Sequence, residues 1–227
     1  MEKKITICLT SCNRFDLLEQ TIKSMVEFWD GEPPFAFYIN EDSGLMIPTA
    51  IAEYIESVWP KSKYVEFYGL KNQIAAIDRM YKEVVTPYIY HQECDWLTTK
   101  SGFIGRSMDI LESNSKIMQV WLREPNDRNG HPASGQVLKT DKGTKYQLMR
   151  IGYRRDWNGF SFNPGLRRLA DYKLIGPYSK IAKFYPEQPL KSEIEIGKKY
   201  LANGFRAATL LTGFCKHIGG NGRHVNG

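Results

Sequence analysis

In the stretch Pro87-Tyr-Ile-Tyr-His-Gln-Glu93-Cys-Asp95-Trp96, a short apolar run ends abruptly in two carboxylates spaced i, i+2. Residues two apart in an extended chain point to one side, so Glu93 and Asp95 are expected to converge on one cation or one polyol. Hard divalent cations prefer carboxylate oxygens, and magnesium or manganese bridges them to a substrate diphosphate. An acidic turn after a strand gives the same pattern, so the rest of the chain has to separate the two.

Upstream, the chain alternates strand and helix. Apolar runs predict strands at Ile5 to Thr10, Phe35 to Ile39, Tyr64 to Phe67 and Pro87 to Tyr90. Helical spacing predicts helices at Asp16 to Phe28, Thr49 to Val58 and Gln73 to Val84; Leu17, Leu18, Thr21, Ile22, Met25 and Val26 form the stripe of the first. Such alternation implies an α/β fold with a mainly parallel central sheet and helices on both faces. Ligands of these sheets bind beyond the carboxyl ends of the strands. Asn13 with Arg14, Glu41 with Asp42, and Glu93 with Asp95 all fall at such ends and should share one rim.

Downstream the pattern is looser. A helix is expected from Gly102 to Asn114, a strand from Met118 to Leu122, and loops or a hairpin from Arg123 to Lys145. Ser192 to Leu201 reads as a helix with Gly204 placed as its C-cap, followed by a strand from Arg206 to Leu211.

A chain of 227 residues, 42% of them apolar, suffices for one well-packed domain without staples. Cys8, Cys12, Cys94 and Cys215 show no C-x-x-C pairing, so neither a zinc site nor a disulfide framework is indicated. With no run near membrane-spanning length and too short an apolar start for a signal peptide, a cytoplasmic location is expected. The net charge is +6, and the segment Arg150 to Lys183 holds a surplus of six by itself. Its interleaved aromatic rings suit an anionic partner such as nucleic acid, unless they are ordinary core beside solvated charges.

On these residues the chain resembles the GT-A glycosyltransferases, with their Rossmann-like sheet, and in particular the family 2 type that uses nucleotide-diphosphate sugars. Thr10-Ser11-Cys12-Asn13-Arg14 is similar to the family's first loop, and Glu41-Asp42-Ser43 to its acidic pair. Glu93-Cys94-Asp95 matches the acid-x-acid motif, with Glu where Asp is usual. Ser192-Glu193-Ile194-Glu195, followed by Gly204-Phe205, is similar to the acidic helix start that carries the family's base. His217-Ile218-Gly219 resembles the C-terminal metal histidine, with His224 nearby as a competitor.

The resemblance implies one domain over residues 1–227, with a nucleotide-sugar half (1–100) and an acceptor half (101–227). It implies a divalent cation, manganese or magnesium, held by Asp95 and His217 with Glu93 assisting. A UDP-linked sugar would be contacted by Thr10, Asn13, Arg14, Glu41 and Asp42; apart from the resemblance, Arg167 and Arg168 are placed to reach the donor diphosphate or an acceptor phosphate, with Arg168 assigned to the donor. Glu193 would be the base of an inverting transfer, with Glu195 as the substitute.

Independently, the glycine-punctuated run Trp157-Asn-Gly-Phe-Ser-Phe-Asn-Pro-Gly165 reads as a substrate-facing loop, which assigns Arg155, Trp157, Phe162, Asn163 and Arg167 to the acceptor. Two plainer readings stay open: Glu193 as a first-turn acid favoured by the helix dipole, and His217 as a loop histidine.

The expected activity is glycosyl transfer to an acceptor hydroxyl, with a hydroxymethylated DNA base as the first acceptor and a capsular or lipopolysaccharide glycan as the alternative. Rival readings are a nucleotidyltransferase, whose Gly-rich phosphate loop is missing after the first strand, and a nucleic-acid-binding module on a degenerate sugar-nucleotide fold.

Overall fold

The computed structural model describes residues 4–69, 72–128, 130–152, 156–185 and 188–220. All seven residues of β1 (Ile5–Ser11) are buried, as a strand covered on both faces requires. It is the middle of a five-stranded sheet ordered β3-β2-β1-β4-β9. Here β2 is Ala36–Glu41, β3 Lys63–Tyr68, β4 Tyr88–Glu93 and β9 Gly165–Arg168. The first four run parallel and β9 runs antiparallel to β4.

Side chains alternate across β1 and divide the core in two. Ile5, Ile7 and Leu9 pack under α1 (Phe15–Phe28), α2 (Thr49–Val58) and α4 (Phe103–Ser113). Cys8 faces the other cluster, beneath α3 (Gln73–Glu83), α5 (Leu169–Ile175) and α6 (Pro189–Ala202). Asn72 caps α3, its side-chain oxygen accepting from the Ile74 and Ala75 amides.

A second sheet, ordered β6-β10-β8-β7, joins β6 (Ile117–Trp121), β10 (Arg206–Leu210), β8 (Lys145–Leu148) and β7 (Leu138–Lys139). The antiparallel pair of β5 (Trp96–Thr98) and β11 (Cys215–His217) sets His217 opposite Trp96. That pairing returns the far end of the chain to the rim where β4 ends.

Most predicted elements form with ends shifted by up to three residues, and the stretch Gly165 to Ile175, for which the sequence predicted no element, is the edge strand β9 followed by α5. All four cysteines stay as thiols, with Cys8, Cys94 and Cys215 buried. Among the described residues no helix is long and apolar enough to cross a membrane.

Candidate active site

The parallel register sets Ser11 beside Glu41, Thr10 beside Glu93, and Glu41 beside Tyr68, so β1, β2, β3 and β4 end level on one rim. The turn after β1 carries Asn13 at φ 48°, a left-handed conformation that asparagine tolerates. This turn directs the Asn13 amide onto Glu41 Oε1 at 2.9 Å, which also accepts the Ser43 amide at 2.9 Å. Glu41 Oε2 is buried and finds no partner among the described residues. Asn40 Nδ2 donates to Asp42 Oδ1 at 2.5 Å. Burial and the neighbouring Glu41 charge push the Asp42 carboxyl up to about 7.

Glu93 ends β4 and Asp95 lies in a turn, rather than both in the extended chain that the i, i+2 spacing assumed. Residues 94 and 95 form that turn between β4 and β5, and the two carboxylates take different hydrogen-bond partners although each stays within reach of the other's charge. Glu93 accepts Gln73 Nε2 at 2.8 Å and the Trp96 indole N–H at 3.1 Å. Burial, then the Asp95 and Glu193 charges, push its carboxyl up to about 8. Asp95 Oδ2 instead meets Arg14 Nη1 at 2.7 Å and His217 Nε2 at 3.2 Å. Burial raises the Asp95 carboxyl, but the His217 hydrogen bond and the Arg14 charge outweigh it and hold the group below the usual carboxylate range.

A divalent cation fits this corner. Carboxylate oxygen plus imidazole nitrogen is a donor set for manganese or magnesium. A Cβ on Gly219 would lie 2.4 Å from Asp95 Oδ2 and 2.9 Å from His217 Nε2, so glycine leaves a space at the pair. No group of three or more metal-ligating side chains exists among the described residues, so the remaining positions would fall to diphosphate and water.

Glu193 lies in the second turn of α6, since that helix begins at Pro189 rather than at Ser192. Its Oε1 accepts the Ser161 hydroxyl at 2.8 Å and the Phe162 amide at 2.9 Å. Burial raises its carboxyl, opposed by those two hydrogen bonds and by the Arg167 charge. The Trp157 N–H also lowers it, although that buried N–H has no acceptor in full hydrogen-bonding geometry. Its charge acts on Glu93, which places the two carboxylates in one electrostatic neighbourhood. Glu195 is turned away, accepting the Lys183 amide and the Tyr185 hydroxyl, each at 3.3 Å.

The acceptor segment requires corrections. Trp157 and Phe162 belong to the second core, packed with Phe160, Tyr81, Tyr172, Tyr178 and Tyr200; glycines there allow an irregular chain to supply core rings without helical or strand periodicity. Arg167 is buried, bonded to Tyr81 Oη and the Ser161 carbonyl, so it cannot face an acceptor. Arg168 pairs with Tyr88, at the amino end of β4 and away from the rim. Its guanidinium donates to Asp171 and to the carbonyls of Leu111, Ser115 and Ile117, which ties it into the fold at the end of the sheet opposite the rim. Asn163 keeps a partly exposed side chain, while Arg155 and His224 lie outside the described residues.

Sequence reasoning missed Gln73, Trp96, Ser161 and Gly219. Gln73 and Ser161 were silent because they act on carboxylates 20 and 32 residues away, and Trp96 because the turn that folds its indole back onto Glu93 has no sequence signature. Gly219 carried a signal, a glycine two residues beyond the candidate metal histidine.

No family model and no curated sequence matches the chain. Solved structures do. The mannosyltransferase PcManGT from Pyrobaculum calidifontis, in complex with GDP-Man and Mn2+, superimposes at TM-score 0.67 and 10% identity over 97% of this chain and 58% of its own. S. aureus TarS 1-349 in complex with UDP-GlcNAc gives 0.68 and 14% identity over 97% of this chain and 60% of its own. GalNAc-T7 with UDP, GalNAc and Mn2+ gives 0.68 and 10% identity over 98% and 45% respectively. The chain thus spans roughly half to three-fifths of the length of the structures it matches. At such identities the likeness is one of architecture: the chain has the fold of the GT-A glycosyltransferases.

Proposed function

We propose that the protein transfers a sugar from a nucleotide-diphosphate donor to an acceptor hydroxyl, inverting the anomeric centre. The observation that carries this is the convergence of Arg14, Asp95 and His217 on one point of the rim, with Gly219 leaving space there. Asp42 and Asn40 would bind the base or ribose of the donor, with UDP the first nucleotide to test. Asp95 and His217 would hold the divalent cation, which supplies charge neutralisation on the departing diphosphate. Arg14 adds a fixed positive charge beside it.

Glu193 is assigned as the base that takes the acceptor proton. Its raised carboxyl suits proton abstraction, and its hydrogen bonds fix it on α6. For the acceptor we favour a glycan hydroxyl over a base in DNA. The DNA reading rested on the basic segment Arg150 to Lys183, and two of its eight basic residues, Arg167 and Arg168, are used inside the fold.

The test is thermal stability with a panel of nucleotide-diphosphate sugars, each with and without manganese and with no acceptor present. A rise with one donor that requires the metal is expected; no rise with any donor would overturn the reading.

A further inference from the structure

A pocket of about 420 Å³ opens in the loop that follows β6. Asn126, Arg128, His131, Ser134 and Gln147 are among its lining residues, none of which is a carboxylate. The buried Nε–H of Arg128 has no acceptor among the described residues. Its neighbour Arg123, by contrast, is paired with Asp127 at 3.0 Å. Loss of solvent on burial lowers the Arg128 guanidinium. A half-buried cation without a carboxylate favours an anion from outside the chain.

Two ring contacts link the loop that carries the pocket to residues of the candidate site. His131 stacks on Trp157, ring centroids 4.0 Å apart and planes 27° apart, and the Trp157 N–H acts on Glu193. At the start of the same loop Arg123 lies 4.7 Å over the Trp96 ring, and Trp96 holds Glu93. The buried Trp157 ring therefore stands between the pocket wall at His131 and the candidate base.

We infer that this pocket binds an anionic group of the acceptor, a phosphate or a carboxylate, with Arg128 as its counter-charge. Asn126 and Ser134 supply neutral donors, and Gln147 stiffens the wall through its hydrogen bond to the Ser134 carbonyl at 2.8 Å. The word acceptor rests on the glycosyl-transfer reading; the anion site does not. The acceptor so defined is a phosphate-bearing or uronate-bearing glycan.

The test is calorimetric titration of the full chain, without donor or metal, with glycerol 3-phosphate, methyl glucuronide, glycerol and methyl glucoside. One charged probe should bind, naming phosphate or carboxylate, while the neutral pair should not. Arg128→Gln should weaken binding about tenfold or more, which is the loss of one charge-assisted contact. Arg128→Lys should retain part of it, and the exposed Lys173→Gln should leave it unchanged; melting curves confirm that each variant is folded. Binding equal in Arg128→Gln and wild type, equal binding of neutral and charged probes, or no binding of either anion would overturn the inference. Because the donor experiment lacks acceptor and this one lacks donor, either can fail alone.

Discussion

Asp95 Oδ2 and His217 Nε2 stand 3.2 Å apart although 122 residues separate them in the chain, and the β5–β11 pairing makes that meeting possible. If this pair carries the cation, Asp95→Asn should lower turnover by at least about 100-fold, since several kcal/mol of charge stabilisation is lost. The folded state should survive, as measured by nucleoside diphosphate release beside a melting curve.

Gly219→Ala tests the same corner sterically. A methyl 2.4 Å from Asp95 Oδ2 has to displace either the carboxylate or the backbone. Manganese-dependent donor binding should weaken at least about tenfold, whereas metal-free stability should change by less than about 1 kcal/mol because the site is open to solvent on one side. Calorimetric titration reads the first and urea denaturation the second.

Glu193→Gln should lower kcat by about 100-fold to 10,000-fold, the range for a lost general base, while the donor Kd stays within a factor of about three. Glu195→Gln should leave kcat almost unchanged, because Glu195 ties down the loop before α6. Since burial raises Glu193, the rate should fall on acidification at a pH above the usual carboxylate range. A pH–rate profile reads this limb.

Asp42 gives a stability signature. Its carboxyl is raised from 3.8 to about 7, so the folded state binds the proton more tightly than the unfolded chain. The resulting stability is present in full below the ordinary carboxylate pKa and is lost as pH rises to about 7. Between pH 5 and 8 the protein should lose on the order of 2 kcal/mol, allowing for solvent that still reaches the group. Asp42→Asn should remove that slope in urea titrations at the two pH values.

Arg168 acts as a clamp, bridging Asp171 and the carbonyls of Leu111, Ser115 and Ile117. Arg168→Ala strands those acceptors and should cost about 2–4 kcal/mol, with donor affinity unchanged. Urea denaturation and donor titration separate the two effects.

These residues also mark how far the chain could be read from its order. Three of the parallel strands were legible because buried strands are short apolar runs, the partly exposed β3 through its alternating β-branched and aromatic residues, and their polar ends fell on one rim because parallel register aligns them. The edge strand β9 was hidden because Leu166-Arg167-Arg168 looks like surface charge until Arg167 meets Tyr81 and Ser161 across the core. Trp157 and Phe162 misled for a related reason, as glycine-rich chain around them has no period to announce burial. Within the site, the 93–95 spacing was visible, but its geometry depends on a turn at 94 and 95 that sends Glu93 to Gln73 and Asp95 to His217. Glu193 was placed one turn too early, which overstated the helix-dipole objection to it.

The most direct test of the account is calorimetric titration of UDP-sugars into wild type and Asp95→Asn, each with and without manganese. The account predicts binding to wild type that strengthens at least about tenfold with manganese, and no such strengthening in Asp95→Asn. Equal binding by both proteins, or binding indifferent to the metal, would contradict it.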